Sequence, residues 1–188
     1  MYIDGILKMQ NSDGGFAIDS SSDISESDMT AMVLQALAKY TDREDVKTAV
    51  ERATVFLSEK QTSDGGYENC GEENAESVSQ VITALCELGI SLDDPRFIKN
   101  GYTLTDNLLL YMCGNGGFKH KLTDKEPDLM ATEQAFCALT AADRINKGKT
   151  SLYRMTDNRA DLKSTVVMGL NAAKKIFALY GVNTNEKK

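Results

Sequence analysis

Histidine occurs once and proline twice in this chain, and none of its four cysteines stands in a Cys-x-x-Cys pair. Cys70, Cys86, Cys113 and Cys137 are too widely spaced for a dense disulfide framework. Cys86 and Cys137 fall inside apolar helical runs and read as small core residues, whereas Cys70 and Cys113 each sit beside a glycine turn where one disulfide could form. No run of 18 apolar residues is present, which excludes insertion of a hydrophobic helix into a membrane. Basic residues are scattered and outnumbered, 21 against 28 acidic, for a net charge of −7. A nucleic-acid or anionic-membrane partner needs a clustered positive footprint, so neither is expected. The opening Met1-Tyr2-Ile3-Asp4 lacks the basic and apolar regions of a signal peptide, but the chain starts in mid-pattern, as an excised fragment would.

What is present is repetition. Gln10-Asn11-Ser12-Asp13-Gly14-Gly15-Phe16 returns as Gln61-Thr62-Ser63-Asp64-Gly65-Gly66-Tyr67, and again, degraded, as Gly114-Asn115-Gly116-Gly117-Phe118, with a spacing of 51 residues both times. A fixed period of this size marks one supersecondary unit used repeatedly, none of which buries its apolar face alone. The paired glycines predict a tight reversal, with Gly15, Gly66 and Gly117 at positive φ, and the aromatic that follows re-enters the core. A phosphate-cradling loop is excluded, because no Lys-Ser/Thr follows the glycines and no apolar strand precedes them.

Between the turns the apolar spacing is helical. Residues 2–9 read as the tail of an outer helix; Met29, Met32, Val33, Ala36, Leu37 and Tyr40 line an inner one over about 28–40. Thr41-Asp42-Arg43-Glu44 has the pattern of a capping box ahead of the outer stripe Val46 to Leu57. Asn74 caps a second inner helix over 75–88 that Gly89 closes. Asp94-Pro95 should head a third outer helix through Met112, and Pro127 a third inner helix over 128–142. A polar connector at 143–159, with Tyr153 as its anchor, leads to a further helix at 160–180 and a disordered tail at 183–188. The expectation is an all-α single domain over 1–182, with repeats at about 1–40, 41–89 and 90–142.

The Gln-x-x-Asp-Gly-Gly-aromatic segment between an outer and an inner helix resembles the repeat of squalene and terpenoid cyclases and of protein prenyltransferase β-subunits, over residues 1–142. That resemblance implies an α/α toroid, of which the seven helical segments here make about half a ring. Either a longer chain completes such a ring or a second copy closes it, making a homo-oligomer, since a half-ring leaves an apolar flank.

Class II terpene cyclases carry an acidic run ending in Thr-Ala, whose central Asp protonates the substrate. Glu26-Ser27-Asp28-Met29-Thr30-Ala31 is similar: Asp28 matches the central acid, Glu26 lengthens the first, and Met29 replaces the last. Asp28 is thus the one candidate catalytic residue. Prenyltransferases of this fold hold zinc through Asp, Cys and His; His120, with Cys113 and Asp124 nearby in sequence, lacks the short ligand spacing of such a site and reads as a solvated surface residue. Cys70-Gly71-Glu72-Glu73 resembles the complement-type thioester motif, but Glu73 stands where the acyl-donor Gln is required. No metal and no cofactor are implied.

Each catalytic set therefore lacks a member, and the reading from sequence is a non-catalytic ligand-binding or protein-interaction module of a larger exported bacterial protein, extracellular or at the cell surface. Residues 130–135, 142–144 and 151–155 resemble toroid repeats of exported bacterial proteins in texture. The alternative is a cyclase-like or prenyltransferase-like enzyme acting on isoprenoids. The expected concave-face residues are Glu26, Asp28, Thr30, Tyr67, Glu76, Gln80, Asp128, Thr132 and Glu133, with Gly14, Gly15, Gly65, Gly66, Gly116 and Gly117 as structural turns. The partner is an unidentified small molecule or protein.

Overall fold

The computed structural model describes residues 2–69, 71–114 and 116–158, and these are all-α apart from one short two-stranded ladder. The helix expected at 160–180 and the tail at 183–188 lie outside the described residues. Contacts divide the chain into two compact units, Met1–Tyr153 and Arg154–Lys188. The helices of the first unit are α1 (Tyr2–Leu7), α2 (Ser27–Leu37), α3 (Glu44–Lys60), α4 (Ala75–Leu88), α5 (Leu104–Leu110) and α6 (Leu129–Asn146). The ladder pairs β1 (Glu68–Asn69) with β2 (Glu72–Glu73).

Two layers result. Helix α4 packs between α2 and α6, while α3 lies against α2 and α5 against α4. Only Gln80 and Leu88 of α4 escape burial, so its polar residues need partners, and two find them inside the helix: Ser79 Oγ donates to Ala75 O at 2.7 Å and Thr83 Oγ1 to Ser79 O at 2.9 Å. Asn74 caps α4 by accepting from Ser77 N at 2.8 Å, and Gly89 ends it in the left-handed region at φ 72°.

The three glycine turns share one wiring. Asn11 O accepts from Gly14 N at 3.0 Å and Asn11 N donates to Gly15 O at 2.9 Å; Thr62 with Gly65 and Gly66, and Cys113 with Gly116 and Gly117, repeat both bonds. Positive φ therefore falls on the first glycine of each pair, Gly14, Gly65 and Gly116, and not on Gly15, Gly66 and Gly117 as predicted. The turn reverses one residue earlier, and in the first two copies the Asp side chain folds back on the second glycine: Asp13 Oδ1 accepts from Gly15 N at 3.0 Å and Asp64 Oδ1 from Gly66 N at 3.4 Å. The second glycine serves close approach instead: a Cβ at Gly15 would lie 2.5 Å from Ser25 Cβ, and one at Gly117 would lie 2.7 Å from Pro127 Cβ.

The first two turns are each bolted to the next outer element. Gln10 Nε2 donates to Gly14 O and to Ala49 O of α3, both at 2.8 Å, and Arg52 donates to Asn11 O and Ser12 O. One repeat later Gln61 Nε2 bridges Gly65 O and Phe97 O at 3.0 Å each. The aromatic after each turn is buried, and its backbone meets the head of the following inner helix: Phe16 O accepts from Glu26 N, Tyr67 O from Asn74 N and Phe118 O from Asp128 N. Ten residues separate the first and third of these pairs but only seven the second. The caps Glu26, Asn74 and Asp128 are thus structural equivalents, although a constant period of 51 would match Glu26 with Ser77.

Two helix starts differ from expectation. The capping box expected at Thr41–Glu44 is absent; Ala38–Tyr40 form a 3-10 turn, and α3 begins after Arg43 without a side-chain cap. The reciprocal box occurs at Thr103 and Asp106, ahead of α5. The long outer helix expected from Asp94 is broken. Pro95–Phe97 make a 3-10 turn, and Asn100 (φ 51°) and Gly101 (φ 87°) then form a tight reversal in which Lys99 and Tyr102 exchange both backbone hydrogen bonds. An Asn-Gly pair tolerates two successive positive φ angles, which a helix cannot contain.

Candidate active site

The heads of α2, α4 and α6 carry the residues that sequence singled out. Asp28, Glu76 and Met130 each stand two positions after a cap, so they are equivalent in the three inner helices. Asn69 Nδ2 of β1 donates to Asp28 Oδ2 at 2.9 Å, while Asp28 Oδ1 is enclosed without a hydrogen-bond partner among the described residues. The nearby Ser77 hydroxyl already donates to Asn74 Oδ1 at 2.9 Å and has only one proton to give. Burial raises the Asp28 pKa above the ordinary carboxyl value; Ser77 and Asn69 oppose this, and the like charge of Glu26 adds to it. Its position in the first turn of a packed helix makes Asp28 a partly desolvated acid.

Glu26 caps α2 with its backbone, and its Oε2 accepts from Ile18 N at 2.9 Å. With Ser27, Lys60 and Asn69 it lines a pocket of about 440 Å³, to which Asp28 does not contribute. Met29, which replaces an acid of the cyclase pattern, packs against the core. Thr30 is fully buried: its Oγ1 accepts from Phe16 N at 2.9 Å, and Thr132 Oγ1 does the same for Phe118 N at 2.8 Å. Tyr67 is enclosed and donates its hydroxyl to Leu57 O at 2.7 Å, and that burial drives its pKa far upward. These three side chains hold the turns to the helices.

Asp128 caps α6 by accepting from Ala131 N at 2.9 Å, with Pro127 just ahead of the cap. Gln80 joins a ladder across the inner layer, Gln35 Nε2 to Gln80 Oε1 at 2.8 Å and Gln80 Nε2 to Gln134 Oε1 at 3.1 Å. Glu133 is exposed and accepts from Cys137 Sγ at 3.4 Å. The β2 residue Glu73 has its pKa raised by burial and by Asp64. Cys86, Cys113 and Cys137 are free thiols, and Cys70 lies outside the described residues, as does its half of the proposed disulfide and of the thioester-like motif.

His120 is not a free surface residue. Its Nδ1 lies 2.9 Å from both carboxylate oxygens of Glu76, and its backbone carbonyl accepts from Ala75 N at 3.1 Å. This pair opens on a pocket of about 650 Å³ that extends to Asp124, Lys125 and Asp128. Among the described residues, no group of three His, Cys, Asp or Glu side chains is placed to hold a metal ion, and no helix is long and apolar enough to cross a membrane.

No protein-family model matches the chain, and no solved structure matches it. A curated relative, drimenyl diphosphate synthase of Streptomyces showdoensis, is 29% identical over 146 residues, which is 76% of this chain and 26% of that enzyme. The chain thus spans about a quarter of the length of the curated relative it matches. The likeness to terpenoid enzymes has a distant counterpart in this synthase, and none of the comparisons matches a repeat of a surface protein. The expectation of a non-catalytic binding module is overturned by this match, which favours the enzyme alternative. The missing acid at Met29 had weighed against catalysis, but Met29 serves packing while Asp28 keeps a partly desolvated position.

Proposed function

We propose that the chain is part of a terpenoid-cyclase-like enzyme acting on isoprenoid diphosphates, with Asp28 as the acid that starts the reaction. The observation that carries this reading is the enclosed, unpartnered Oδ1 of an acid whose sequence context resembles the class II cyclase motif. The distant likeness to drimenyl diphosphate synthase supports the substrate class. In this reading the α/α repeats belong to a ring, to which the described helices contribute a part.

An alkene is a very weak base, so its protonation needs a carboxylic acid kept protonated away from water. Asn69 donates to Oδ2, which therefore acts as acceptor, and the proton belongs on Oδ1. Transfer of that proton to a double-bond carbon of the isoprenoid leaves a carbocation on the neighbouring carbon and a carboxylate on Asp28. The same Asn69 amide then stabilises the carboxylate, since a hydrogen bond to an ionised acceptor is the stronger one. No step draws on the diphosphate, which stays on the product.

The test is incubation of the purified chain with farnesyl and geranylgeranyl diphosphates, followed by phosphatase treatment and mass spectrometry. A cyclised product that D28N fails to make, while keeping its helical circular dichroism, is the expected result. Equal conversion by D28N, or no conversion by the unmodified protein, overturns the reading.

A further inference from the structure

We infer that the second glycine turn holds a hard divalent cation of the calcium type, bound by the carboxylates of Asp64 and Glu73 with the amide oxygen of Asn107 and the hydroxyl of Tyr111. The site is independent of the reaction proposed above. Asn107 in α5 and Tyr111 at its C-cap are four residues apart and share one side of the helix, at 1% and 0% exposure. Asn107 Oδ1 and the Tyr111 hydroxyl are both enclosed without a hydrogen-bond partner among the described residues. Turning the Asn107 amide round gives no relief, because its Nδ2 donates to Asp64 O at 3.3 Å and a carbonyl can only accept. Burial pushes the Tyr111 pKa up to about 12, and the charges of Glu73, Asp64 and Glu76 add to this, so a neutral phenol stands close to carboxylates that do not bond it. Glu73 and Asp64 crowd each other in turn. Thr62 Oγ1 donates to Asp64 Oδ1 at 2.6 Å and also faces Glu73, and one hydroxyl proton cannot serve two carboxylates. A cation satisfies the orphaned oxygens and the like charges together, whereas water relieves the oxygens and leaves the repulsion.

The first glycine turn shows the same frame without this demand. Where the second turn has Glu73, just ahead of a cap, the first has Ser25; where it has Asn107 and Tyr111, one period earlier stand Phe56 and Lys60. Ser25 Oγ donates to Asp13 Oδ1 at 2.8 Å and accepts from Asn11 Nδ2 at 3.0 Å, so the single carboxylate there is served by a hydroxyl. Phe56 offers no oxygen, and Lys60 is exposed. The second unit has exchanged a hydroxyl, a phenyl ring and an ammonium for a carboxylate, an amide and a phenol. Together the exchanges add oxygen donors and remove a positive charge. The third turn has Pro127 in the place of Glu73, so the donor set belongs to the second unit alone. Oxygen donors without nitrogen or sulfur suit calcium, which takes about six to eight such ligands in adaptable geometry and completes its shell with water. Two of the donors here are acidic, which keeps the site apart from clusters of three acidic, His or Cys side chains, absent among the described residues.

The full chain, stripped with a chelator, should melt at rising temperature as calcium chloride is added into the millimolar range, because a ligand that binds only the folded state stabilises it. E73Q should weaken the calcium affinity read from that titration about tenfold or more, since charge count sets the strength of such sites. E72Q changes an exposed carboxylate one residue away and should leave the affinity unaltered. Terbium, a luminescent stand-in for calcium, should emit when the tyrosines are excited, and Y111F should lose most of that emission while keeping its helical circular dichroism. A melting temperature indifferent to calcium overturns the site and leaves water to the orphaned oxygens. Equal weakening by E72Q and E73Q overturns it as well, because it marks diffuse attraction to a chain of net charge −7. Emission that Y111F retains in full puts the ion elsewhere and overturns the assignment. None of these readouts involves turnover, so the site stands or falls apart from the role of Asp28.

Discussion

The carbonyl oxygen of Thr103 lies 2.8 Å from where a Cβ on Gly65 would sit, so the second glycine turn rests directly on the backbone that leads into α5. Gly65 has φ 88° as well, and Gly65→Ala therefore combines backbone strain with a clash that no side-chain rotation relieves. It should cost more than about 2 kcal/mol. Gly66→Ala meets only the movable amide of Asn107, and Gly116→Ala meets nothing within 4 Å and keeps strain alone, about 1 kcal/mol. Urea unfolding of the three variants should place Gly65→Ala below both others. An equal loss at Gly65 and Gly116 would mean that the contact with Thr103 O contributes nothing.

Gln61 is buried and its amide serves two carbonyls of different segments, Gly65 and Phe97. Gln61→Leu fills a similar volume but strands both acceptors, and a loss of about 2 kcal/mol in the urea midpoint analysis is expected. Gln10→Leu removes the matching pair of bonds at a less buried site and should cost less.

Asp28 makes stability depend on pH in a defined direction. Its folded pKa is raised above 3.8, so between these values the folded chain binds more protons than the unfolded chain, and stability falls as pH rises. Asp28→Asn removes that slope. The melting temperature of D28N minus that of the unmodified protein should therefore grow as pH increases from about 4 and level off above the raised pKa. A difference that is flat or declining over this range would contradict a desolvated acid.

Thr30 and Thr132 accept the backbone N–H of Phe16 and Phe118, yet Thr30 is fully buried and Thr132 is not. Thr30→Val should cost about 1–2 kcal/mol, because Phe16 N is left unpaired away from water, and Thr132→Val should cost less. Thermal melts of the two variants compare them directly.

The all-α fold, the helix over 75–88, its Asn74 cap and its Gly89 stop were legible in the sequence because each has a local cause within a few residues. The break in the third outer helix was legible too, in Asn100-Gly101, but the cap-like Asp94-Pro95 outweighed it. Thr41-Asp42-Arg43-Glu44 has the letters of a capping box without its geometry, since a 3-10 turn carries the chain past Thr41. The contacts that shape the site join residues far apart in sequence, Asn69 with Asp28 and His120 with Glu76, and no periodic pattern announces such pairings. Asp28 itself could be named from its neighbours, but its desolvation depended on packing against α4 and β1 that only three dimensions supply.

The shortened connection before α4 shows what the 51-residue spacing conserves. The loop from Tyr67 to Asn74 is three residues shorter than its counterparts, and the stretch from Asn74 to the third turn is longer by the same amount, so deletion and insertion cancel over one unit. The turns thus keep their spacing in this chain while the allotment of residues between neighbouring connections differs. A ruler of constant length laid along the chain therefore mistakes Ser79 for the counterpart of Asp28, when the carboxylate that shares its place is Glu76. For anyone grafting or shuffling these units, the cut points that preserve side-chain register are the caps Glu26, Asn74 and Asp128, and not equal intervals.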